Sequence, residues 1–253
     1  MIPVRAQPEP QAPVYDFHHD VYERGEDAIR QLAGLPSLRT WKGPNIRARV
    51  QHVEDVTPEM LRDYPYWTRA LSALHSAYHG RCAYLARYIE PVETPTTDHF
   101  VALRNAPDPM FAYTWSNYRL AHALVNSVKS AIPDVLDPFE IGEGWFAIDF
   151  GTFHTVIGPD APLDQRDAIE GTIQALKLDR GEVTNTRKRA AERYWSPPPG
   201  LRPVPLWHLE QDEPFLASEL RRQNRLNPED SYHSIFSPME GAVGSDKIGA
   251  VAR

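Results

Sequence analysis

The stretch "TTDHFVALRNAPDPMFAYTWSNYRLAHALVNSVK", residues 96–129, decides how the chain is read. It opens on β-branched residues that favour a strand, and Asp98 and His99 stand side by side at that strand's end. Successive strand residues point to opposite faces, so the acid and the imidazole are sent to different sides. "ALRNAPDPMFAY" (102–113) then reads as a loop, and "TWSNYRL" (114–120) as a second short strand carrying Asn117. "RLAHALVNSVKS" (119–130) has helical character and carries Asn126, with Ile132-Pro133 as its stop. Eight residues separate the two asparagines. Asparagine is unfavourable inside a helix unless it has a task, and Lys129, three residues on, shares its face.

Working outward, 253 residues are enough to bury a sizeable core, and 42% hydrophobic content is in the globular range. The 24 prolines against 14 glycines predict many stiff connectors. The single cysteine, Cys82, excludes an intrachain disulfide framework and a cysteine zinc cluster. It reads as a small buried hydrophobe in a reducing compartment. No apolar run reaches the ~20 residues a membrane helix needs. The first residues lack the basic-then-apolar order of a secretory leader. The expectation is a cytoplasmic protein without a membrane partner.

Net charge is −7, which does not advertise nucleic-acid binding, but the charge is uneven. Residues 28–53 carry Arg30, Arg39, Lys42, Arg47 and Arg49 with no acid, and "TRKRAAER" (186–193) is a second basic cluster. Local patches decide phosphate contact, although either patch alone reads equally well as an ordinary solvated helix face.

Residues 1–13 are rich in Pro and Gln and are expected to be disordered. "DVYERGEDAIRQLAGL" (20–35) predicts an amphipathic helix and "NIRARVQHV" (45–53) a strand. Thr57-Pro58 opens a helix that breaks at Pro65 and resumes through "YWTRALSALHSAYHG" (66–80). There Trp67, Leu71, Leu74 and Tyr78 form one stripe, and Gly80 ends it. Downstream, "DVLDPFEIGEGWFAIDFGTFHTVIG" (134–158) predicts a β-meander turning near Gly142–Gly144. Helices follow at "LDQRDAIEGTIQALKLD" (163–179) and "VTNTRKRAAERYW" (183–195). "WSPPPGLRPVPLW" (195–207) is a stiff linker, leaving one helix, "PFLASELRRQNRL" (214–226), and a polar tail. The division is an arm with a short helix and strand (1–56), a central domain (57–195), and a linker, helix and tail (196–253).

The order strand, loop, strand, helix, with "TDHF", "WSNYRLAHALVNSVK" and the upstream "GRCAYLARYI", resembles the HNH nuclease family. The resemblance spans about residues 75–195, and its later part is also similar to bacterial defence-associated HNH proteins such as those of Septu-type systems. It implies an α+β fold with a central ββα-metal (HNH) module wrapped by N-terminal and C-terminal helices. It further implies Mg²⁺- or Mn²⁺-dependent hydrolysis of phosphodiester bonds, with DNA ahead of RNA as substrate. Hard divalent cations take a few protein oxygens plus waters and phosphate oxygen. Asp98 and Asn126 would supply such oxygens. His99 would take a proton from the attacking water. The resemblance gives Asn117 the role of steadying the loop and the imidazole. Lys129, Arg187, Lys188 and Arg189 are the candidates for phosphate contact, so binding would be salt-sensitive.

Two departures stand out. Asn126 replaces the last histidine of the motif, which the family tolerates. The positions of the family's zinc knuckle read Cys82, Leu85, His122 and Val125, which cannot close a four-ligand site. No structural zinc is expected; Leu85, Val125 and Tyr84 should hold hairpin to helix by apolar packing. One such motif cuts one strand, so nicking, or double-strand cleavage by a homodimer, is the expected outcome. The resemblance also implies a candidate ATPase partner in an anti-phage complex. The main rival is a catalytically idle HNH-like subunit that binds nucleic acid or serves assembly. A second rival is a metalloenzyme of another class using His99 with "DFHHD" (16–20), a stretch that otherwise reads as plain polar sequence before a helix.

Overall fold

Val21, Ala28, Ile29 and Leu32 give the first helical segment an apolar face, and all four are buried. That segment begins with a π-helical turn at His18–Tyr22 and continues as α1 (Glu23–Leu32). The computed structural model describes residues 1–42, 45–91, 95–130, 132 and 134–231. The expected helix stop at Pro133 and the polar tail beyond Ser231 lie outside them. Buried Asp27 on α1 pins the following loop, accepting hydrogen bonds from Gln31, Ser37, the Leu38 amide and the Trp41 indole.

Two N-terminal expectations are corrected. The segment 1–13 is tied down along its first half: Met1 is buried, the Val4 amide donates to the Pro138 carbonyl, the Gln7 amide to the Tyr78 hydroxyl, and the Trp115 indole to the Gln7 carbonyl. With prolines fixing φ, little chain entropy is left to lose, and a few such bonds suffice to seat the segment. Residues 45–53 form no strand. Ile46 and Val50 pack against the core while the Arg49 and Val50 amides both donate to the Leu32 carbonyl, so the alternation buries one side without a ladder.

Thr57 precedes α2 (Pro58–Leu61), and after Pro65 a 3₁₀ turn leads into α3 (Leu71–Ala77), as the prolines dictate. Gly80 has φ +68°, and a Cβ there would lie 2.4 Å from the Tyr88 ring; no other residue type fits this corner. The chain then enters β1 (Pro95–His99), which pairs antiparallel with β2 (Tyr118–His122), Asp98 opposite Arg119 and His99 opposite Tyr118. α4 (Ala123–Lys129) follows directly, its first turn capped by the His122 imidazole. The second strand therefore starts later than expected. Asn117 lies in a 3₁₀ turn before it, because its amide N–H bonds back to Thr114.

A separate hairpin, β3 (Phe146–Asp149) and β4 (His154–Ile157), replaces the expected meander, and it turns at residues 150–153 rather than at Gly142–Gly144. Asp149 caps that turn by accepting from Gly151 and Thr152. α5 (Arg166–Ala175) and α6 (Gly181–Trp195) form where their periodicity predicts. In the C-terminal region another helix, α7 (Leu206–Asp212), precedes the expected one, α8 (Pro214–Arg222); Pro205 stands just before α7 and Pro214 opens α8. The architecture is mixed α+β. One hydrophobic cluster takes in Phe17, Leu74, Tyr84, Leu120, Ile148, Ile173, Tyr194 and Leu216, so arm, centre and C-terminal helices share a core.

Candidate active site

His99 ends β1 with its ring held edge-on between Trp67 (centroids 5.1 Å apart) and Tyr118 (5.2 Å). Its Nε2 lies 2.9 Å from the Ala112 carbonyl, which also accepts from the Tyr118 hydroxyl at 2.7 Å. A carbonyl only accepts, so Nε2 carries the proton. Burial lowers the pKa of the ring to about 4 against the carbonyl's opposing pull. At neutral pH the imidazole is therefore neutral and Nδ1 bears a free lone pair.

Asn117 is buried behind the loop that follows β1 and binds both of its ends. Its Oδ1 accepts from the Val101 amide (2.8 Å), and its Nδ2 donates to the carbonyls of Val101 (3.1 Å) and Phe111 (3.2 Å). Phe111 neighbours Ala112, so the asparagine fixes the carbonyl that fixes the histidine.

Asp98 points to the other side and is almost fully buried. The Tyr84 hydroxyl donates to its Oδ2. Lys129, fully buried at the end of α4, places Nζ 3.2 Å from Oδ1 and 3.1 Å from Oδ2, and bonds the carbonyls of His99 (2.9 Å) and Phe100 (3.0 Å). Burial raises the Asp98 pKa in spite of Lys129 and Tyr84. The expected phosphate contact of Lys129 is corrected: its ammonium is turned inward, a tethered cation among four oxygens that anchors the end of β1 to α4.

Asn126 donates from Nδ2 to Thr96 Oγ1 at 3.0 Å, leaving Oδ1 without a protein partner among the described residues. Asp98, His99 and Asn126 all line one polar cleft of about 310 Å³. Three charged residues that the sequence reading missed line it as well: Glu59 of α2, Arg62 at the end of that helix, and Arg104 of the loop. Arg104 stands inside the quoted stretch, and as the one cation of that loop it was a usable signal. For Glu59 and Arg62 there was none, since their approach is a long-range contact.

The donor chemistry of this cleft fits a hard cation that retains waters: a carboxylate, an amide oxygen and Glu59 nearby. Among the described residues no three His, Cys, Asp or Glu side chains gather into a metal cluster. The cation now on Asp98 is Lys129, and a divalent ion would have to displace it or share the carboxylate with it.

The expected basic track at 187–189 is not brought to this cleft. Arg187 is buried, donating to Thr155 at 2.9 Å, which corrects its assignment to an exposed phosphate track; Lys188 pairs with Glu192 at 3.9 Å. Arg189 lines a different cleft. At the zinc-knuckle positions, Cys82 Sγ accepts from the amides of Leu85 (3.4 Å) and His122 (3.3 Å), and Leu85, Val125 and Tyr84 are buried in the shared core. In "DFHHD", His19 bonds Glu23 at 3.0 Å and His18 stacks on Tyr22, both at the surface.

No family model matches the chain, and neither a curated protein nor a solved structure matches it.

Proposed function

We propose that the chain is a metal-dependent endonuclease of the ββα-metal type that hydrolyses phosphodiester bonds, in DNA ahead of RNA. The observation that carries this reading is the single cleft shared by Asp98, His99 and Asn126, whose imidazole is locked into one tautomer by Ala112 and, behind it, Asn117. His99 Nδ1 takes the proton of the attacking water. The Ala112 carbonyl then faces the imidazolium that forms and stabilises it. Asp98 and Asn126 would hold Mg²⁺ or Mn²⁺, which when bound would supply charge stabilisation for the phosphate and leaving oxygen. Arg104 and Arg62, rather than Lys129, grip the phosphate from the cleft's rim. The base is lost only as pH falls through about 4, so activity holds down to pH 5 as far as His99 is concerned. A single such site cuts one strand, which makes nicking, or paired cutting by a homodimer, the product pattern; an ATPase partner and a role in anti-phage defence rest on the family resemblance alone.

Supercoiled plasmid incubated with Mg²⁺ or Mn²⁺ tests the reading. Wild type should convert it to open circles, and His99→Ala should lower the rate by at least about 100-fold, the scale of a general base. Equal cutting by both proteins would place the activity elsewhere.

One observation favours the idle-subunit reading: Asp98 already has a buried counter-ion in Lys129. On that reading both preparations are equally inert with either metal, while nucleic acid is still bound in a salt-dependent way.

A further inference from the structure

α6 carries a second polar centre on the far side of the knuckle-like turn. Arg187 is only 3% exposed, and its Nη1 donates to Thr155 Oγ1, yet its buried Nη2 has no hydrogen-bond partner among the described residues. Burial lowers its pKa to about 10, so the cation persists at a cost. An unpaired N–H of a buried guanidinium is expensive to leave unsatisfied.

Arg187 forms one wall of a cavity of about 240 Å³ between the 85–87 turn, the β2–α4 junction and α6. Arg87, Thr186 and Glu213 line this cavity and also an outer cleft of about 410 Å³, so the two adjoin. That outer volume lies in the range of ~300–1,000 Å³ usual for small-molecule sites. In the outer cleft α6 presents Arg189 and Arg193, one turn apart, and neither makes an ion pair among the described residues. The acids nearby are engaged: Glu213 with Arg87 (3.3 Å), Asp212 with His208 (2.8 Å), Glu182 with Arg180 (3.9 Å) and Asp179 with the Thr155 amide (2.6 Å), while Glu90, also in the outer cleft, has a partner of its own. Burial also pushes the Glu213 carboxyl up to about 7, against the pull of Arg87 and Arg187.

We propose that this paired cavity binds a small phosphate-bearing molecule, whose oxygens complete Arg187 from within while Arg189 and Arg193 hold it from the rim. Glu213 and Asp179 already offset part of its charge through space, but neither accepts a hydrogen bond from Nη2, and an oxyanion supplies that missing acceptor. A small ligand fits better than a nucleic-acid strand, because Arg187 is buried and lines an inner cavity of about 240 Å³. The site is separate from the β1–β2–α4 cleft and does not depend on what that cleft does.

Titration of the full chain with pyrophosphate and with adenosine monophosphate, in metal-free buffer, tests this by calorimetry and thermal unfolding. The wild type should bind at one site and unfold at a rising temperature as ligand is added. Arg189→Ala and Arg193→Ala, both at the rim, should keep the ligand-free unfolding temperature and weaken binding by roughly tenfold or more each, the loss of one charge-assisted bond. Arg187→Met should do the same; if it fails to fold, the rim variants decide. His99→Ala should bind as wild type does. Absence of binding at millimolar ligand, or equal binding by wild type and rim variants, overturns the proposal. So does a single-stranded oligonucleotide that binds through Arg189 and Arg193 while pyrophosphate does not, since the face would then be a strand track.

Discussion

His99 decides how the site responds to acid. Its folded pKa of about 4 lies below the ordinary 6.5, so between these values the unfolded chain binds a proton that the folded chain refuses. Stability from this residue is thus complete above pH 6.5 and falls as pH drops toward 4, by about 2 kcal/mol between pH 7 and pH 5. Urea unfolding at the two pH values should show that loss in wild type, and His99→Phe should be flatter across the same interval. Asn117 carries the next prediction. Its three hydrogen bonds span the loop, so Asn117→Ala should cost about 2–3 kcal/mol in the same assay, with Val101 and Phe111 groups left unpaired. Cleavage should fall further than the folded fraction does, because the ring loses its fixed carbonyl. Types and spacing were enough to group Asp98, His99 and Asn126, which line one cleft, with Asn117, which lies behind the loop. Which nitrogen of His99 is bonded, and to what, was not, because Ala112 is apolar and only its backbone acts.

At the level of elements, the hairpin of β1 and β2 and the α4 that follows were readable from β-branched residues, loop prolines and the helical run. Their boundaries were not, because the Asn117 backbone N–H closes a 3₁₀ turn on Thr114 and the His122 side chain caps α4 at the end of β2. Lys129 was misread for a related reason: at the end of a short helix it shares a face with Asn126, and sequence cannot say whether its long stem reaches out or folds in. It folds in, and the buried pair it makes with Asp98 ties α4 to β1. Lys129→Met should strand the carboxylate and destabilise the fold by about 3–5 kcal/mol at pH 7. Asp98 would then bind a proton more readily folded than unfolded, so the variant should recover stability as pH falls. Adding Asp98→Asn should restore part of the loss. A Lys129→Met protein as stable as wild type at pH 7 would show that the pair contributes nothing.

Across the whole molecule, the mixed α+β class followed from patterning, while the way distant segments meet did not. Residues 1–13 look disordered by composition, yet their backbone bonds to Tyr78, Trp115 and Pro138, partners 71 to 134 residues away in sequence. The proline-rich stretch before α7 reads as a spacer, but α8 returns to the core, where Glu219 accepts from the Ile148 amide. Among the described residues no helix is long and apolar enough to cross a membrane. The cleft itself is assembled from α2, β1, the loop and α4, a convergence that only tertiary packing creates. Crystals soaked with Mn²⁺ and a short DNA duplex examine that convergence most directly. An anomalous peak is expected in the cleft at Asp98 and Asn126, with the Lys129 ammonium withdrawn from the carboxylate. A cleft without a peak, and Lys129 still seated on Asp98 beside bound DNA, would contradict that expectation.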